Sequence, residues 1–216
     1  MSTPKVISVN VGLPRTVIWA GRSLTSAIWK TPVEGRIPVR GVNLEGDGQA
    51  DRRVHGGEDK AVYAYSSEDY AWWADSLGRE VLAATFGENL TTKGIDLSAC
   101  VIGQEWRVGT AVLQVAQPRE PCFKLGMRMG DARFVERFEA SGRSGAYLRI
   151  RQAGDIGAGD PIVTGPLPFH GVTIGDLAAV RPSTPADLLE RIAAVAEVPE
   201  GWRTMARRRL NRLRGS

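Results

Sequence analysis

The sequence predicts a mainly β core, a compact antiparallel sheet or barrel with helices laid on it, followed by a small appendage of three helices. Three observations carry this. Short alternating or β-branched runs recur through the first two-thirds of the chain, 25 glycines punctuate it, and after Pro168 the texture changes to helix-opening signals. Strands this short and this often interrupted fit a small closed or strongly coiled sheet. No strand–helix–strand alternation of the doubly wound kind is visible.

The elements follow in order. Lys5 to Gly12 sets Val6, Ser8 and Asn10 opposite Ile7, Val9 and Val11, and Thr16 to Ala20 is a β-branched and aromatic run after Pro14. Ser66 caps a helix whose Tyr70, Trp73, Ala74 and Leu77 share one face, and Gly78 ends it. Cys100 to Gly103, Glu105 to Val108, Ala111 to Ala116, Gly145 to Arg151 and Pro161 to Thr164 read as strands. Between them Asp131 opens a helix with Phe134, Val135 and Phe138 on one side, closed by Gly142. In the last quarter Thr173 and Asp176 form a capping pair, Thr184-Pro185 starts a helix, and Pro199 starts another that aligns Trp202, Met205, Ala206, Leu210 and Leu213. The expected division is a β-domain over 1–167 and a helical appendage over 168–216.

Composition narrows the function. A chain of 216 residues that is 43% hydrophobic and 24% charged is an ordinary globular protein. It has no apolar stretch near the roughly 20 residues needed to span a bilayer, and no signal sequence opens it, so a cytoplasmic protein with no membrane partner is expected. Two histidines and two cysteines are too few and too dispersed for a four-ligand zinc site or a disulfide framework. The net charge of +4 comes from six arginines after residue 200, which leave 22 basic against 24 acidic residues before them. The basic tail does not by itself argue for a nucleic-acid surface, and its apolar spacing fits a helix packed on the body with its arginines in solvent.

Phosphate-loop, serine-hydrolase and zinc-protease signatures are absent, and Gly46-Asp-Gly48 lacks the third glycine of a dinucleotide fingerprint. Three segments remain unusual, the least so being Phe86-Gly-Glu88-Asn89-Leu90, which by itself reads as a structural turn with Asn89 in a left-handed position. Arg40 to Lys60 carries nine charged residues and five glycines. A loop of that length in a compact domain points to binding, with Asp47, Asp51, His55, Asp59 and Lys60 as polar anchors or proton donors. The last is Gln117-Pro-Arg119-Glu-Pro-Cys122-Phe-Lys124-Leu125, directly after a strand. Its two prolines are expected to fix an extended loop that joins no helix, holding Cys122 between the cations Arg119 and Lys124. A thiolate so placed attacks electrophiles or ligates a soft metal. Cys100, inside Ser-Ala-Cys-Val-Ile, reads as a small buried hydrophobe.

The Cys122 segment resembles the cysteine loop of MOSC domains, named for the C-terminal region of molybdenum-cofactor sulfurases. Gly46-Asp47, Gln49-Ala-Asp51-Arg52-Arg53, His55-Gly-Gly57, Asp59-Lys60-Ala-Val62, Phe86-Gly-Glu88-Asn89-Leu and Ile102-Gly103 before Trp106 are similar, in that order, to the YiiM-type bacterial branch. Val54 departs from it, standing where a second histidine is frequent. The resemblance implies a β-barrel core with peripheral helices and a C-terminal three-helix unit. It also implies that Cys122 is the thiolate ligand of the molybdenum cofactor (molybdopterin). Arg119 would form its basic surroundings, and Arg52, Arg53 and Lys60 would face the cofactor's phosphate. Asp47, Asp51, Asp59, His55, Glu88, Asn89 and Gln117 would complete the pocket.

The activity so implied is reduction of N-hydroxylated compounds, such as 6-hydroxylaminopurine, to the parent amines. Cys122, His55 and Asp51 would form the catalytic set, with His55 or an acid of the 40–60 loop relaying a proton. The expected partners are a small N-hydroxylated substrate and a separate electron-donor reductase, with a homodimer as the candidate assembly and nucleic acid disfavoured. Two other readings stay open: Cys122 as a nucleophile paired with His55 in a hydrolase or transferase, and a non-catalytic carrier of the cofactor or of sulfur.

Overall fold

The computed structural model describes residues 3–49 and 56–215. Its strands are β1 (Lys5–Val11), β2 (Arg15–Trp19), β3 (Arg22–Ser26), β4 (Thr31–Val33), β5 (Arg36–Arg40), β6 (Asn43–Leu44), β7 (Val62–Ser66), β8 (Leu90–Lys93), β9 (Glu105–Val108), β10 (Ala111–Pro118), β11 (Ala146–Gln152), β12 (Gly154–Gly157) and β13 (Ile162–Thr164). Its helices are α1 (Ser67–Leu77), α2 (Phe123–Met129), α3 (Phe134–Ser141), α4 (Ile174–Ala178), α5 (Ala186–Ala194) and α6 (Glu200–Arg214).

The architecture is mixed α/β around one eight-stranded sheet of order β13-β9-β10-β11-β7-β8-β1-β4. The expected barrel does not close as a continuous ladder among the described residues. β13 and β4 are its two ends, and β1 meets the β13 side only through an isolated Lys5–Pro161 bridge and backbone bonds such as Ile162 N to Pro4 O at 2.8 Å. One pair in the sheet is parallel: β7 and β8, joined through α1. The sequence reading passed over this strand–helix–strand unit because Val62–Ser66 is buried at every position, and a strand buried on both faces shows no period-two alternation. Cys100–Gly103, read as a strand, is a turn with a single bridge at Val101.

Local chemistry fixes the helix ends that the sequence marked. Ser66 Oγ accepts from Asp69 N and Gly78 takes the left-handed conformation, so α1 is capped at both ends. Gly142 ends α3 the same way, and Thr173 with Asp176 forms a capping box on α4. Buried residues of α4 to α6, among them Leu177, Ile192, Ala206 and Leu210, belong to one apolar cluster with the sheet residues Leu113, Val115 and Leu148. A second cluster is aromatic: Tyr65, Tyr70, Trp73, Phe86, Phe134 and Phe138 pack where α1 and α3 lie on β7. Among the described residues no helix is long and apolar enough to cross a membrane.

Candidate active site around Cys122

The site is built where β10 leaves the sheet. Pairing of β10 with β11 shifts by one residue between Val115 and Gln117, the signature of a bulge, and bulges bend a strand and re-aim its side chains. Beyond the bend Pro118 closes the strand, Arg119 turns inward, and Cys122 becomes the N-cap of α2 with extended backbone (φ −133°, ψ 172°). Here the expectation that two prolines would keep Cys122 clear of a helix is corrected. A proline restricts the residue before it, so Pro121 constrains Glu120 and leaves Phe123 onward free to coil. Leu125 N closes the first turn on Cys122 O at 2.8 Å.

Cys122 is half-buried and lines a cavity of about 100 Å³ whose other walls include Lys30, Asp47, Lys60, Asn89, Arg119 and Tyr147. Arg119 is 8% exposed; its guanidinium donates to Phe86 O and lies 5.0 Å from the centre of the Tyr63 ring. Lys30, 9% exposed, is ion-paired to Asp47. Asp47 Oδ1 also accepts from Gly12 N at 2.8 Å, and Oδ2 accepts from Asn89 Nδ2 at 2.9 Å. Asn89 Oδ1 in turn accepts from Tyr63 N at 3.1 Å. Five segments distant in sequence are thus tied into one wall.

The electrostatics follow from burial and charge together. Desolvation holds the Lys30 ammonium below the ordinary lysine range, outweighing the attraction of Asp47. Burial raises the Tyr63 and Tyr147 phenols, with Arg119 pulling the other way, so both stay protonated near neutrality. Among the described residues, Lys30, Lys60, Arg119 and Lys124 face the cavity against the single carboxylate of Asp47. Close packing of its rim requires Gly87: with φ of 76°, a Cβ there would sit 2.8 Å from Ile28 Cγ1.

The residues singled out from sequence divide into four groups. Cys122, Arg119, Lys60, Lys124, Asp47 and Asn89 meet at the cavity. Gln117 and Asp59 line a wider cleft that shares Lys60 and Arg119 with it. Glu88 lines neither: wholly buried, its Oε1 accepts from Tyr70 Oη at 2.7 Å, Ala84 N at 2.6 Å and Thr91 Oγ1 at 2.9 Å, which locks the 84–91 turn beneath the aromatic cluster. Asp51, Arg52, Arg53 and His55 lie outside the described residues. Lys30, Tyr63 and Tyr147 were not singled out. The one available signal was Lys30 itself, a charge set directly after the apolar Ala-Ile-Trp.

Among the described residues no three His, Cys, Asp or Glu side chains gather to hold a metal ion. The donor set at Cys122 fits a different kind of centre, one that asks the protein for a single soft thiolate and surrounds an anionic group with cations and an amide.

Comparison with known proteins agrees with this geometry. Residues 51–163 match the MOSC domain family. The chain is 34% identical over 192 residues to Protein YiiM of Escherichia coli, covering 86% of this chain and 85% of that protein. The crystal structure of YiiM from Geobacillus stearothermophilus aligns with a TM-score of 0.79 at 31% identity, over 96% of this chain and 99% of that one. A Gibberella moniliformis protein named Reductase is 34% identical over 146 residues, 66% of this chain but 26% of that longer protein. With the cysteine loop, the sheet that bends into it and these matches in agreement, the chain belongs to the MOSC domain family and is of the YiiM type.

Proposed function

We propose that the protein is a molybdenum-cofactor-dependent reductase of N-hydroxylated compounds, with 6-hydroxylaminopurine as a representative substrate and a separate reductase as electron donor. The observation that carries this reading is the half-buried Cys122 on a cavity that the described residues line with four cations and one carboxylate. Family membership supports it, since MOSC domains are associated with the molybdenum cofactor, and so does the relative named Reductase. In the overall change R–NHOH takes up two electrons and two protons; the N–O bond breaks, the oxygen leaves as water, and the amine R–NH2 remains.

Bound here, the cofactor would supply two-electron chemistry and an acceptor for oxygen. Cys122 Sγ would be its protein ligand, while Arg119, Lys60 and Lys124 would neutralise its anionic groups. Arg119 suits this because its guanidinium is already fixed by Phe86 O and the Tyr63 ring and loses little freedom on binding. Lys30 Nζ, held by Asp47 at the cavity wall, would keep a proton available for the departing oxygen.

The test is metal and pterin analysis of protein made in a cofactor-competent host, with wild type and Cys122→Ser side by side, followed by assay against 6-hydroxylaminopurine with a chemical reductant. Molybdenum and activity are expected in the wild type and neither in the variant. Equal molybdenum in both would remove Cys122 as the ligand.

A further inference from the structure

One flank of the Cys122 cavity is built from a hairpin that nothing covers. β2 and β3 form a two-stranded sheet of their own, paired from Arg15 with Ser26 to Trp19 with Arg22. A two-stranded hairpin alone is marginal in water, and the apolar Val17, Ile18, Trp19 and Leu24 of this one belong to neither apolar cluster. Ile18 is 74% exposed. The hairpin leads into the cavity wall through Ser26, Ala27 and Ile28. The same cavity is lined by Cys122 and Lys124 at the start of α2, and Phe123 between them is 51% exposed.

Charge gives this face its character. The Arg15 guanidinium lies 4.2 Å from the centre of the Trp29 ring. Arg128 Nε, on α2, is buried with no hydrogen-bond partner among the described residues. Burial, and after it the neighbouring charge of Arg15, hold the Arg128 guanidinium below the ordinary arginine value. Two like charges, one with an unmet donor, are relieved by a carboxylate set between them. No described carboxylate is ion-paired to Arg15, Lys124 or Arg128, whereas on α6 Glu200 holds Arg203 and Arg207 and Glu190 holds Arg214. Arginines beside exposed aromatic and aliphatic side chains make the composition of a protein-docking face.

We infer that the face formed by the β2–β3 hairpin and α2 docks the electron donor of the proposed reductase, an acidic carrier protein, with its carboxylates on Arg15 and Arg128 and its apolar contact on Ile18 and Phe123. The inference rests on the reductase reading, which needs two electrons per substrate from a separate protein. A donor seated there stands beside Cys122, the residue that would ligate the redox centre, and complementary charge speeds its arrival.

Two measurements test it, with a small acidic flavodoxin as the probe. In the first, flavodoxin binding to protein made in a cofactor-competent host is followed by calorimetry at about 0.02 M and about 0.3 M salt. Salt-sensitive binding is expected in wild type and in Arg208→Glu, on α6, with a weakening of about tenfold in Arg15→Glu,Arg128→Glu. Should that variant fail to fold, Ile18→Ser, which changes an exposed side chain, is expected to weaken binding in the same direction. In the second, turnover of 6-hydroxylaminopurine is driven either by reduced flavodoxin or by reduced methyl viologen, which needs no docking face. The charge-reversed variant is expected to lose about tenfold with flavodoxin and to match wild type with the viologen. No flavodoxin binding by wild type, equal binding by the charge-reversed variant, or loss in Arg208→Glu in its place overturns the inference. A concentration-dependent dimer that Ile18→Ser dissolves, in a wild type that binds no flavodoxin, gives the face to a second copy of the chain and overturns it as well. Flavodoxin binding lost on charge reversal, in a protein that turns over with neither reductant, leaves the face standing and sinks the reductase reading.

Discussion

Cys100 and Cys122 are the same side chain in two opposite settings, and the contrast separates what packing does from what chemistry needs. Cys100 is 5% exposed, its thiol donates to Asp96 O at 3.3 Å, and burial together with the nearby Asp96 pushes its pKa up to about 12. It sits in an apolar cluster with Ile102 and Ile174 and stays a neutral thiol. Cys122 opens a helix at a cavity of cations and is half-exposed. A free cysteine is therefore read by the charges and space around it. The Glu88-Asn89 dipeptide repeats the lesson with polar residues: Glu88 turns into the aromatic cluster as a structural knot, while Asn89 turns to the cavity and braces Asp47.

The sharpest break of the comparison is a matched pair of substitutions. Cys122→Ser is expected to abolish turnover, a loss of at least about 100-fold, and to leave the unfolding midpoint near that of wild type. Cys100→Ser is expected to keep activity per folded molecule and to lose stability, because a hydroxyl replaces a thiol in an apolar cluster. Kinetics and urea unfolding on both proteins decide it, and equal activity losses would erase the distinction between the two sites.

Next in size is the buried pair at the cavity wall. Asp47→Ala leaves the Lys30 ammonium buried without its partner and removes an acceptor from Gly12 N and Asn89 Nδ2. Breaking such a pair costs about 3 to 5 kcal/mol. Asp47→Ala,Lys30→Met restores neutrality and is expected to recover part of that stability. A double variant no more stable than the single one would show that the backbone bond to Gly12, and not the ion pair, holds this wall together.

Much of this organisation was legible in the sequence, for physical reasons that also mark its limit. Helix ends were read correctly at Ser66, Gly78, Gly142 and Thr173 because caps are local chemistry between residues three or four apart. The alternating strands β9 and β11 were legible for the same reason, whereas in β1 a register shift between Val6 and Ser8 puts Val6 and Val9 together in the core, against the alternation read there. The cavity was legible only where one segment holds several of its residues, as in Arg119 to Lys124. Lys30 reaches Asp47 across the strands β4 to β6, and Tyr63 bonds Ser144 O from a strand far away in sequence, so neither leaves a local pattern. The parallel β7–β8 pair lacked alternation, and α2 was hidden behind prolines that mark the boundary of a helix as readily as its absence.

The smallest effect concerns Glu88, and it separates knot from cavity by pH. Burial raises the Glu88 carboxyl above its ordinary value, against hydrogen bonds from Tyr70, Ala84 N and Thr91 that lower it. The folded state therefore holds this proton over a pH window in which the unfolded chain has released it. Stability from this group is full below the ordinary carboxylate value and is lost as pH rises through the folded one. Glu88→Gln keeps an acceptor for the three donors but cannot titrate. Its unfolding free energy, measured in urea from about pH 4 to pH 8, is expected to gain on wild type as pH rises, while its KM for substrate stays unchanged. Parallel stability curves for the two proteins would mean that Glu88 ionises freely in the fold. A raised KM would mean that the knot beneath the aromatic cluster and the cavity at Cys122 are one site.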